Sequence, residues 1–284
     1  MEINPKITII TAVYNAEDTI EQTIMSVLSQ DYPNIEYIII DGESSDGTIN
    51  IIKKYQNDKR LTFVSEQDNG LYDALNKGVK MATGDYIEII GADDALADRN
   101  VLSKVVKELK MDTDVFSGME YGVDEKTCRQ HIVCDNHVAR NKNDYQGGMI
   151  GHAAMFAKKS LLDKYPFDTT YKIASDYKFF LQCYYDDTVN FQFSDTLIVY
   201  FSLAGMSSNY KKCKIENDRL YKELGVSFKP KRNIKKVIKG ILGYLGIWDI
   251  FEVYYRTVFN YVHANYIWGK HNCKNKVCRW CGRG

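Results

Sequence analysis

The chain has 284 residues, enough to bury a sizeable core as one large domain or a domain with an appendage. Charges cancel to a formal net of zero over 45% apolar and 26% charged residues, which excludes a global field drawing in nucleic acid and matches a soluble globular composition. No run approaches the roughly 20 apolar residues of a membrane-spanning helix. No signal peptide starts at Met1, and the seven Cys are scattered apart from a C-terminal group, so reduced thiols in the cytoplasm are expected rather than a disulfide framework.

Strands and helices are predicted to alternate through the first hundred residues. Ile7 to Val13 reads as a strand, and Ile20, Ile24, Val27 and Leu28 mark the apolar face of a helix. Ile35 to Asp41 is a second strand, Thr48 to Tyr55 a helix, Leu61 to Ser65 a third strand and Gly70 to Met81 a third helix. Asp85 to Ile90 is a fourth strand, followed by a helix over Asp98 to Lys110. Beyond it the pattern loosens. Strands are expected at Val115 to Tyr121, Ile132 to Cys134, Ala153 to Ala157, Phe191 to Phe193 and Leu197 to Ser202. Helices are expected at Ser175 to Tyr185 and Lys211 to Leu224. Asn141 to His152, rich in Gly and polar residues, reads as a mobile loop.

This alternation with short links predicts an α/β fold, a mostly parallel sheet with helices on both faces. Right-handed crossovers put the strand C-termini on one rim. The polar residues after each strand then converge: Thr11, Tyr14 and Asn15, then Asp41, then Glu66 and Asp68, then Asp93 and Asp94. Adjacent carboxylates at a strand end repel, and are costly to bury without a cation between them. A hard divalent cation holding a diphosphate answers that chemistry. A solvated Asp-Asp turn answers it equally well on the pair alone.

Five segments in order carry a family resemblance. They are TAVYNAEDTIEQTIMSVLSQ from Thr11, IDGESSDGT (Ile40 to Thr48), SEQDNGLYDALNKG (Ser65 to Gly78), ATGDYIEIIGADD (Ala82 to Asp94) and KIASDYKFFL (Lys172 to Leu181). Each alone is weak, but the ordered set over about two thirds of the chain is specific. The sequence resembles family 2 glycosyltransferases with the GT-A fold, and within them the bacterial exopolysaccharide and O-antigen enzymes of colanic-acid type.

The resemblance implies roles. Asp41 would accept a hydrogen bond from the uracil N3–H of the donor, a task for an acceptor-only group; a turn Asp is the plain alternative. Thr11 and Tyr14 would pack on the base, with Ala12, Asn15 and Asp68 in the same nucleotide-sugar set. Asn76 and Lys77 would meet donor phosphates, unless Lys77 is a solvated helical Lys. Asp93 and Asp94 match the metal-binding region, with Gly91 where a further Asp is common, as Gly42 stands where a second Asp is common after Asp41. Mg or Mn held there would neutralise the leaving diphosphate. Asp176 matches the catalytic base, which takes the acceptor hydroxyl's proton; an Asp favourable to a helix N-terminus fits the same position. His152 would bond the diphosphate or position the acceptor.

The expected organisation is a GT-A domain over 1–227, with a nucleotide-sugar-binding half (1–100) and an acceptor half (101–227). A basic, aromatic extension of amphipathic helices then covers 228–284. Lys229, Lys231, Arg232, Lys235, Lys236 and Lys239 precede an aromatic stripe, so 229–268 reads either as a membrane-surface segment or as a helix packing on protein. His271, Cys273, Cys278 and Cys281 read more readily as a tail with free thiols than as a zinc site. The implied activity is inverting transfer of a sugar from a nucleotide-sugar, UDP-linked, to a hydroxyl of a glycan or polyprenyl-diphosphate-linked acceptor. The expected place is the cytoplasm or the inner face of the plasma membrane, with no nucleic-acid partner. A non-catalytic scaffold of the same fold is the rival. A nucleotidyltransferase would want a Gly-rich loop after the first strand, where this chain has TAVYNAEDT.

Overall fold

The computed structural model describes residues 4–124, 129–134, 136–203 and 210–228. Among these described residues nine strands form one sheet. They are β1 (Ile7–Val13), β2 (Ile35–Asp41), β3 (Leu61–Ser65), β4 (Tyr86–Ile89), β5 (Ala95–Leu96), β6 (Val115–Asp124), β7 (Arg129–Cys134), β8 (Met155–Lys158) and β9 (Phe191–Ser202). Among the described residues seven α-helices flank it: α1 (Ile20–Leu28), α2 (Thr48–Lys53), α3 (Leu71–Met81), α4 (Val101–Glu108), α5 (Lys159–Lys164), α6 (Ser175–Tyr185) and α7 (Tyr210–Leu224).

The order is β3-β2-β1-β4-β8-β6-β9-β5, with β7 on the β8 side of β6. The expected parallel ladder holds from β3 to β4. Beyond β4 the sheet is mixed: β8 runs antiparallel to both β4 and β6, β9 is parallel to β6, and β5 is antiparallel to β9. The two short strands expected near Phe191 and Leu197 are one strand. Register shifts around Met119 of β6 absorb the polar break between them.

Strand alternation sorts side chains onto two apolar layers. Ile7, Ile9, Tyr37, Ile39, Tyr86 and Ile90 face α1 and α4. Ile10, Ile38, Ile40, Ile87 and Ala157 face α3, α5 and α6. The loop expected to be mobile is packed: Tyr145 and Ile150 are buried, and the Tyr177 hydroxyl accepts from the Gly148 N–H at 2.8 Å. Phe228, the last described residue, stacks edge-on against Tyr145 and Tyr221, with centroids 5.3 and 4.9 Å apart. The basic stretch and the His271, Cys273, Cys278 and Cys281 group lie outside the described residues. Among those described, no helix is long and apolar enough to cross a membrane.

Candidate active site

The strand C-termini open into a cavity of about 780 Å³ on the α3–α6 face of the sheet. Its rim carries Tyr14, Asn15, Asp68, Asp93, Asp94, His152 and Asp176, and its floor is apolar, with Ile87, Met155, Leu162 and Phe179. Residues from both halves of the chain therefore meet at one site.

The turn after β4 is tied down from two sides. Thr19, the N-cap of α1, and Thr23 of α1 donate to the carbonyls of Ala92 and Asp94 at 2.8 and 2.7 Å. Asp94 Oδ1 accepts from the Ser202 N–H at the end of β9 (2.8 Å), and Oδ2 accepts from the Gly91 N–H (3.2 Å). The β5–β9 pairing brings Ser202 there. Asp94 is only 2% exposed. Burial, then the neighbouring Asp93 charge and Glu120, push its carboxyl well above the ordinary range. Behind it on β4, Glu88 is fully buried with both oxygens unpartnered, and burial together with Asp94 raises it too. Acids held this way call for positive charge. Among the described residues no three His, Cys, Asp or Glu side chains gather as a complete metal cage. Asp93 and Asp94 fit instead a hard cation that completes its shell with phosphate oxygens and water. A Cβ at Gly91 would come within 2.6 Å of Asp94 Oδ2, so the carboxylate of Asp94 occupies the space that a side chain at 91 would need.

The donor-facing set divides by strand parity. Ala12 faces the cavity, and Tyr14 stands 64% exposed at its edge. Asn15 adopts a left-handed backbone (φ 49°), which Asn tolerates, and its Oδ1 accepts from the Ser45 N–H. Thr11 does not reach the cavity. It shares the α1 face with Ile9 and Val13, is fully buried, and pairs with the Tyr37 hydroxyl at 3.2 Å. Asp41 falls on that same face. It is fully buried, and its oxygens accept from the Ser44 N–H and hydroxyl and from the Ser65 hydroxyl, the contacts of a turn Asp. Asp68 is the carboxylate that enters the cavity instead. Its Oδ1 accepts from the Gly70 N–H (2.8 Å), a glycine whose φ of 115° only glycine adopts readily. Its Oδ2 sits where a Cβ at Gly42 would be, beside Tyr14.

Asn76 and Lys77 also fail to reach the cavity. Asn76 clamps the Phe167 backbone, donating to its carbonyl at 2.8 Å and accepting from its N–H at 3.0 Å. Lys77 donates to the Gln67 carbonyl and pairs with Glu66, both at 2.9 Å.

Asp176 opens α6 and faces the cavity from the opposite side. Oδ1 accepts from the Tyr177 N–H at 2.9 Å and from the Tyr72 hydroxyl at 3.0 Å. Oδ2 lies 3.1 Å from His152 Nδ1, and the His152 ring is held edge-on by Phe201. A carboxylate surrounded by donors and still open to the cavity can accept a proton from a bound hydroxyl. Sequence reasoning missed Tyr72 and Phe201. Tyr72 was legible as the first aromatic residue after the Gly70 turn, but Phe201 carried no signal.

Comparison with known proteins identifies the family and the fold. The family model for glycosyl transferase family 2 matches residues 8–165. A PGL/p-HBAD biosynthesis glycosyltransferase of Mycobacterium bovis is 25% identical over 219 residues, 72% of this chain and 80% of its own length. Staphylococcus aureus TarS 1–349, solved in complex with UDP, superposes with a TM-score of 0.57 at 20% identity over 69% of this chain. The mannosyltransferase PcManGT of Pyrobaculum calidifontis, solved with GDP-Man and Mn2+, gives 0.59 at 22% identity over 76% of this chain. This chain spans 60% and 61% of those two solved chains.

Proposed function

The chain belongs to glycosyl transferase family 2, and from that premise we propose that this glycosyltransferase works by inversion on a UDP-sugar. The observation that carries the proposal is Asp176 facing Asp93 and Asp94 across one cavity, a proton acceptor opposite a cation-seeking pair. Mn or Mg between Asp93, Asp94 and the diphosphate would supply charge neutralisation for the leaving group. Tyr14 and Asp68 face the base, with Ala12 and Asn15 beside them. The acceptor hydroxyl approaches from the α6 side, where Asp176 takes its proton as the oxygen attacks the anomeric carbon, and His152 holds the carboxylate in place. The UDP-bound TarS and the Mn2+-bound PcManGT support a nucleotide-sugar donor and a divalent ion by likeness of fold.

The acceptor class follows from the sequence resemblance: a growing surface polysaccharide or its lipid-linked precursor, met in the cytoplasm or at the inner membrane face. Residues to 228 form the catalytic unit, and the basic segment 229–268 supplies the membrane contact. A hydrolysis screen of UDP-, GDP- and dTDP-sugars with Mn present tests the donor assignment. Slow UDP release from one donor supports it, and turnover confined to GDP-sugars refutes it. Sedimentation with anionic liposomes, full chain against a chain ending after Phe228, tests the membrane contact. Equal sedimentation of the two refutes that part.

A further inference from the structure

We infer that Glu216 of α7 is a positioning residue for Asp176, an inference that rests on Asp176 being the base. The loop leading into α6 presents three consecutive backbone N–H groups to one carboxylate. Lys172 N donates to Glu216 Oε1 at 2.9 Å, and Ile173 N and Ala174 N donate to Oε2 at 2.8 and 2.9 Å. Ala174 is the N-cap of α6 and has no side-chain acceptor of its own, a poor residue for that place. A carboxylate borrowed from another helix takes over the anchoring. Such charge-assisted bonds are short and directional.

The grip is broader than one residue. Glu216, Arg219 and Glu223 lie three and four apart on one face of α7, around the fully buried Leu220. Arg219 stacks over Tyr171 at 4.1 Å and donates to the Thr170 hydroxyl. The Tyr171 hydroxyl donates to Glu223 at 2.6 Å, and Lys178 bridges Glu223 and Asp168. Of these contacts only those of Glu216 bind the three residues directly before α6. From the cavity side, the Tyr72 hydroxyl lies 2.6 Å from the Ile173 carbonyl and 3.0 Å from Asp176 Oδ1. The segment 172–174 is thus held between α3 and α7, and Asp176 lies two residues on. A displacement of about 1 Å at a reacting group can cost on the order of 100-fold in rate. A helix remote from the substrate therefore sets how well the proton acceptor is aimed.

The test uses the full chain with Glu216→Ala and Glu216→Gln. Gln keeps one carbonyl oxygen for Ile173 and Ala174 but turns an amide donor toward Lys172, so its effects should be the smaller. Hydrogen exchange of the peptide spanning 170–178 should quicken roughly tenfold in Glu216→Ala, while peptides from β1 to β4 keep wild-type rates. Affinity for UDP with Mn should stay within about twofold. UDP release from UDP-glucose or UDP-N-acetylglucosamine should lose kcat roughly tenfold at unchanged KM. In an Asp176→Asn background the same substitution should cost less than about twofold, because coupled residues are non-additive. Unchanged exchange at 170–178 overturns the clamp, whichever donor is turned over. Losses that add fully to those of Asp176→Asn overturn its action through that residue and leave only stabilisation. Wild-type turnover by Asp176→Asn alone would instead overturn the base assignment, a separate result.

Discussion

Asp94 and Asp176 face the same cavity from the two halves of the chain, and their surroundings differ in kind. Asp94 lies at the end of the parallel half, 2% exposed, beside the Asp93 charge and near buried Glu88 and Glu120. Asp176 lies in the first turn of α6, with an N–H, a hydroxyl and an imidazole around it. Desolvation and like charge make the first region seek a cation. Donors at a helix N-terminus make the second a stable, aimed carboxylate. The same side chain is thus suited to two chemistries, because one neighbourhood supplies negative charge and the other hydrogen-bond donors.

Substitution at Asp176 should separate the two regions most sharply. Asp176→Asn should lower the transfer rate by roughly 100-fold or more, the usual scale for losing a general base, while calorimetry with UDP and Mn gives wild-type affinity. Full activity in the variant would move the proton acceptor elsewhere in the cavity.

The converse change is Asp94→Asn. Calorimetry with UDP should show tighter binding with Mn than with EDTA in the wild type. The variant should lose roughly 30-fold of that metal-supported affinity, about 2 kcal/mol, because an amide is a weaker ligand for a hard cation. Equal affinity in EDTA and Mn for the wild type would remove the cation from the first region.

His152→Gln should cost about tenfold in kcat with little change in UDP affinity, since it touches Asp176 and not the pair across the cavity. A large rise in the Kd for UDP, with kcat intact, would place His152 in the diphosphate site instead.

The smallest effect concerns stability and its pH dependence without ligand. Glu88 and Asp94 have raised values in the folded state. Their contribution is therefore complete below the ordinary carboxylate range and is lost as pH rises through the folded values. Glu36 and Asp168 behave oppositely. Against the cost of burial, Thr8, Thr83 and Lys6 hold Glu36 at about 2, and Lys178 and Thr170 hold Asp168 at about 2. Their contribution is present above the ordinary range and is lost as pH falls toward 2. Urea unfolding should accordingly show stability declining as pH rises above the ordinary carboxylate range. Glu88→Gln should flatten that decline, so its stability relative to wild type rises with pH. A parallel decline in both proteins would mean that Glu88 titrates normally.

Most of the first hundred residues could be read directly. Dense Ile runs of seven residues, helical spacing from Ile20 and the acidic turn at Asp93 fixed element type and the common rim, since short links and right-handed crossovers leave few alternatives. The strand at Ala95–Leu96 and the helix at Lys159–Lys164 were not anticipated, being too short for a periodic signal. The inward turning of Thr11 and Asp41 was legible and went unused. Each lies two residues beyond an apolar residue of the α1 face, so period-two alternation already directed it away from the cavity.

The sequence by itself determined the alternation of elements, the rim on which polar residues gather, the family and the presence of Asp93, Asp94 and Asp176. Only the tertiary structure decided which of the gathered residues face the cavity. It buried Asp41 and brought Asp68 into the space beside Gly42. It turned Asn76 and Lys77 to contacts with Phe167, Gln67 and Glu66, and laid Glu216 against the loop before Asp176. Local pattern sets which way a strand or helix presents its residues. Contacts between Gly42 and Asp68, or between residues 172–174 and Glu216, depend on long-range packing, which leaves no periodic trace in the chain.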